Sequence, residues 1–105
     1  MPSVPVSEGF EFAAEVWEWD GQASWCFVSL PEDLTDEIDD RFGHRAAGFG
    51  SIRVEVTLGA TTWRTSVFPD SRRGTLILPM KKDVRRREGV AIGDSVSLLL
   101  AVVLD

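Results

Sequence analysis

At 105 residues, 44% of them hydrophobic, the chain is the length of one domain with one core, and folding would bury roughly 65% of its unfolded surface. It has no run of 18 apolar residues and no basic-then-apolar N-terminus, so neither a membrane-spanning helix nor a secretory leader is expected and cytoplasm is the expected location. The formal net charge of −6 hides a polarity: residues 1–40 carry eleven carboxylates and no Lys or Arg, whereas all eleven cations lie in residues 41–105, seven of them between Arg72 and Arg87. With a Debye length of about 8 Å at physiological salt, distant acidic groups only partly cancel such a basic stretch, so net acidity does not exclude an anionic partner.

In chain order, residues 1–9 with Pro2, Pro5 and Gly9 lack apolar periodicity and read as a disordered tail, leaving 10–105 as the domain. Phe10, Phe12, Ala14 and Val16 alternate with Glu11 and Glu15, the period-2 pattern of a half-buried strand. That alternation slips at Val16-Trp17, which predicts a bulge or an aromatic lid on the outside of the sheet. Asp20-Gly21 is a two-residue hairpin signal, and the chain should return along Ser24 to Leu30. The single Cys26 has no partner for an internal disulfide and reads as a packed thiol. Pro31 followed by Glu32 and Asp33 starts a helix, whose stripe Leu34, Ile38 and Phe42 faces inward and whose remaining face is acidic. His44 follows in a Gly-rich loop as a surface imidazole.

Ile52, Val54, Val56 and Leu58 mark the clearest strand, with Arg53, Glu55 and Thr57 outward. Gly59-Ala60 matches a type II′ turn, and the return strand runs from Thr61 to Phe68, ended by Pro69. Thr75 to Leu78 is a further short strand. After Pro79 a second helix buries Met80 and Val84, turns Lys81, Lys82, Arg85, Arg86 and Arg87 outward, and stops at Gly89. The last run, Ser95 to Leu104, is apolar on both faces after Leu98 and reads as a strand covered on both sides.

One unit therefore occurs twice: strand, Leu-Pro, helix, loop, glycine, strand. Leu30-Pro31 through Gly50-Ser51 answers Leu78-Pro79 through Gly93-Asp94. Two such units can close about a pseudo-two-fold axis, which predicts a mainly β fold, a small closed or split β-barrel of about six or seven strands with two short α-helices. Gly50-Ser51, Gly59, Trp63-Arg64-Thr65-Ser66, Leu78-Pro79, Lys81-Lys82, Val84-Arg85 and Gly93-Asp94 closely resemble the bacterial domain-of-unknown-function 1905 family over about residues 9–103. That resemblance implies a double-split β-barrel, a fold shared with AbrB-like DNA-binding domains. It implies no established activity.

No nucleophile, base and orienting group form a recognisable catalytic motif, and no metal or cofactor site is expected. Three roles remain open. A binding module would present a groove near Trp63, Arg64, Ser66, Lys81 and Arg85 to a small anion or an acidic protein segment, Arg64 offering a forked donor array. An internal salt bridge from Arg64 or Arg53 to Glu55 or to an acid of the first strand is the competing assignment. Nucleic-acid binding would instead use Arg72, Arg73, Lys81, Lys82, Arg85 and Arg86 on phosphates. Against it stand the acidic first half and the placement of Trp17, Trp19, Trp25 and Trp63 outside the basic cluster in sequence. Self-association of the acidic helix of one copy with the basic helix of another is the third.

Overall fold

The computed structural model describes residues 5–104, apart from the side chains of residues 22–24. Its elements are β1 (Phe10–Glu15), β2 (Trp17–Trp19), β3 (Gln22–Ser29), α1 (Glu32–Phe42), β4 (Ile52–Leu58), β5 (Thr61–Asp70), β6 (Thr75–Pro79), α2 (Lys82–Glu88) and β7 (Ser95–Val102). The seven strands form one sheet in the order β1-β7-β4-β5-β6-β3-β2, every pairing antiparallel. The two end strands are consecutive in the chain, parted only by Val16, so the sheet curls into a half-barrel. The mainly β, split-barrel fold with two helices expected from the repeat is the one observed.

Val16 is the first split. It is 1% exposed, its N–H donates to the Asp94 carbonyl (2.9 Å) and its carbonyl accepts from Gly93 N–H (2.8 Å). Before it the chain pairs with β7, and after it with β3. β5 repeats the device, pairing with β4 as far as Val67 and with β6 from Phe68 onward. The pseudo-two-fold axis therefore relates β1-β2 to β5, β3 to β6 and β4 to β7.

In three places the structure differs from the sequence reading. The two Leu-Pro dipeptides are not equivalent: Leu30 N–H donates to Leu76 O (2.9 Å) and Met80 N–H to Cys26 O (2.8 Å), so Met80 is the counterpart of Leu30. Pro69 does not end β5, which pairs on through Pro69↔Leu76 and Asp70↔Thr75. Leu76 directs its own N–H to Thr35 Oγ1 (3.1 Å) and its carbonyl to Leu30 N–H, away from β5, so no bond across this pair needs the donor that proline lacks. β7 is flanked by β1 and β4 as a strand interior to the sheet, yet Leu99 is 42% exposed on the outer face.

The core gathers Val28, Leu30, Val54, Val56, Leu76, Leu78 and Leu100 from the strands and their ends, Leu34, Ile38 and Phe42 from α1, Met80 just before α2 and Val84 within it. Burial of each large side chain contributes about 1.5–3 kcal/mol, which fastens α1 despite the like charges on its outer face. Cys26 is buried among these residues. Of the segment read as a tail, residues 1–4 lie outside the described residues. Further on, Val6 bridges Val103, Ser7 N–H donates to Val102 O (2.8 Å), and Glu8 forms a two-pronged ion pair with Arg41 of α1. Among the described residues no helix is long and apolar enough to cross a membrane.

Candidate functional site

The residues proposed from sequence for an anion groove do not converge. Strand alternation sends Trp63 inward, opposite Val56 and against the core, while Arg64 and Ser66 point outward. Glu55 faces Arg64 across the β4–β5 ladder and pairs with its guanidinium: Nε and Nη2 both donate to Glu55 Oε1, at 3.2 and 3.1 Å. Arg85 turns Nε back to the Met80 carbonyl (2.9 Å), which serves the start of α2. Lys82, Arg85 and Arg86 line a shallow hollow with Gly89, Val90 and Ala91. Lys81 precedes α2 and lies exposed at the lip of another hollow, with Trp25, Phe27 and Pro79.

That second hollow leads to the site. The β2–β3 and β5–β6 hairpins bound a cleft of about 500 Å³, lined on one side by Trp19, Trp25 and Phe27 and on the other by Phe68, Pro69 and Arg72, with Ile77 and Pro79 between. Local sequence explains how so much apolar surface comes to lie outside. The inner face of β3 is already filled by Cys26, Val28 and the following Leu30, so alternation sends Trp25 and Phe27 outward. Likewise Val67 points in and Phe68 out. Behind the cleft Trp17 stacks on Phe27 (centroids 5.2 Å apart, planes inclined 24°) and donates its indole N–H to Ser29 Oγ (3.1 Å). Trp19 tilts against both rings. Trp25 is 54% exposed and Phe68 36%, so these two present open ring surface.

Arginines from the second half meet these aromatics from the first. The Arg73 guanidinium carbon lies 3.6 Å from the Trp17 ring centre, a cation–π contact. Arg73 also reaches Asp70 Oδ2 (2.8 Å), and the Arg72 N–H donates to Asp70 Oδ1 (3.0 Å). The Arg73 guanidinium and these bonds hold the Asp70 carboxyl below its ordinary value of 3.8, against the opposing effect of burial. Asp70 thus braces the β5–β6 turn while Arg73 is pinned to the aromatic wall. The Arg72 guanidinium stands freer, at 3.6 Å from Asp20 across the gap between the hairpins, with both side chains more than half exposed. It is a cation at the lip that can turn toward a ligand.

In linear order 52 residues part Trp19 from Arg72, and counting the tryptophans as remote from the basic stretch missed this juxtaposition. The available signal was the outward parity of Trp17, Trp19, Trp25 and Phe27 around the slip at Val16, together with the antiparallel pairing of the two halves that the repeat demands. His44 is exposed in a 3₁₀ turn, as read from sequence. Among the described residues no three His, Cys, Asp or Glu side chains cluster as a metal site.

Fold and surface together define a class: a small internally duplicated split β-barrel with an aromatic cleft on its outer face and cations at the lip. The chain belongs to the family described as domain of unknown function (DUF1905), whose model matches residues 12–100. Comparison with curated proteins gives no match.

Proposed function

We propose that the chain is a non-catalytic binding module whose ligand carries a flat apolar group and negative charge, and that it binds in the cleft between the two hairpins. One observation carries this reading: Trp25 and Phe68 offer open ring surface beside Arg72, a guanidinium in a loose, exposed pair with Asp20. The small anion or acidic segment expected from sequence is retained, and its site moves from Arg64, whose Nε and Nη2 are paired with Glu55, to Arg72 and Lys81. Nucleic acid is the second reading. The separation of aromatics from cations that spoke against it in the sequence does not exist in space, where Arg73 lies on Trp17.

The test is a panel of aromatic carboxylates and phosphates followed by tryptophan fluorescence and thermal melting. A ligand at a hundred times its Kd adds about 2.7 kcal/mol to stability, a readily measured rise in melting temperature. Trp25→Ala and Arg72→Ala should each weaken binding, while Arg64→Ala leaves it unchanged. A panel in which no compound at millimolar concentration alters either signal sinks the proposal.

A further inference from the structure

We infer that the ligand of this cleft is single-stranded nucleic acid, with bases laid on the exposed aromatic rings and phosphates passing Arg72 and Lys81; this rests on the cleft reading above. The cleft and the hollow beside Lys81 share Trp25, Phe27 and Pro79, so together they form one open groove with Arg72 at one end and Lys81 at the other. A compact anion would leave one of these cations, or the rings between them, without a partner. Occupying the whole groove takes a chain that repeats its negative charge and also carries a flat ring at each repeat, which describes a polynucleotide.

The groove favours a single strand over a duplex for two reasons. Stacking on Trp25 and Phe68 needs exposed base faces, which a duplex conceals within its own stack. A duplex would also bring twice the phosphate charge to a groove that offers it two cations, Arg72 and Lys81. Aromatic stacking accepts any base, so the expected preference is for flexible, weakly stacked tracts over a defined sequence. An acidic peptide supplies charge without a regular succession of rings and matches this surface less well.

The experiment is fluorescence anisotropy of a labelled oligothymidylate of about 8 nucleotides, within the site sizes of single-strand-binding barrels. A hairpin duplex, thymidine monophosphate, an oligoglutamate peptide and a non-nucleotide aromatic phosphate serve as competitors. The oligonucleotide should bind, with Trp25→Ala weakening it about tenfold, the cost of losing one stacked base. Two phosphate contacts predict a slope of log K on log salt of roughly −1.4, halved in Arg72→Ala or Lys81→Ala. Trp25 and Lys81 are exposed, so their variants keep the fold, which circular dichroism checks. Binding of the duplex as tightly as the single strand overturns the inference. So does displacement by the peptide, or equal affinity for the monophosphate and the oligomer. If the aromatic phosphate binds and the oligonucleotide does not, only this inference falls; if neither binds, the cleft reading falls with it.

Discussion

Arg73 lies over Trp17, its guanidinium carbon 3.6 Å from the ring centre, and in doing so ties the second half of the chain to the first. The same guanidinium holds the largely buried Asp70 carboxylate at 2.8 Å. Arg73→Ala therefore removes a cation–π contact worth about 1 kcal/mol and leaves Asp70 without its ionic partner. The variant should lose more than 1 kcal/mol in urea unfolding and shift tryptophan emission. Arg72→Ala, which ends only an exposed 3.6 Å pair, should change stability by less than about 0.5 kcal/mol.

Acid should act on the two halves with opposite sign. Asp70 is held below its ordinary value of 3.8, so its contribution is complete at neutral pH, begins to fade near that value, and is lost as pH falls through the depressed one. Asp39 is shifted the other way, raised by burial and then by repulsion from Asp36 and Asp40. Its charge opposes folding at neutral pH, and that penalty disappears as pH falls through the raised value. Asp39→Asn should thus stabilise by about 0.3 kcal/mol at pH 7 and by nothing at pH 3. Urea midpoints measured from pH 7 to 2 for the parent, Asp39→Asn and Asp70→Asn separate the two effects.

Arg64 and Glu55 form a cross-strand pair with both side chains about one-third exposed. Such a pair contributes from 0.2 to about 1 kcal/mol. Arg64→Ala should therefore cost under about 1 kcal/mol, and a double-mutant cycle with Glu55→Ala should recover a coupling of that size. A ligand affinity that falls tenfold in Arg64→Ala would return the site to the β4–β5 face.

Two left-handed backbone positions should respond in opposite directions. Phe49 has φ 62° with its side chain 96% exposed, so Phe49→Gly relieves strain without removing packing and should stabilise by about 1 kcal/mol. Gly59 has φ 58° at the β4–β5 turn, and a Cβ there would run into the Glu88 carboxylate, which Thr61 Oγ1 contacts at 2.6 Å. Gly59→Ala should cost about 1–2 kcal/mol. Adding Glu88→Ala removes the collision and keeps the backbone strain, so rescue should be partial in thermal melts.

Local pattern determined which segments are strands and helices here, because alternation at Ile52–Leu58 and the Leu34, Ile38, Phe42 stripe each answer to a single buried face. The duplicated order of elements determined that they wrap about a pseudo-two-fold axis. Only the tertiary structure decided that β5 continues past Pro69, since a proline is harmless where Leu76 turns its bonding groups toward Thr35 and Leu30. It alone decided the site. Whether Arg64 is available depends on the register that sets it opposite Glu55, and whether Trp17 meets Arg73 depends on strands distant in the chain becoming neighbours in the sheet. Side-chain periodicity is a property of neighbours along the chain, while charge pairing and aromatic stacking act through space, and a sequence records that space only through the topology it implies.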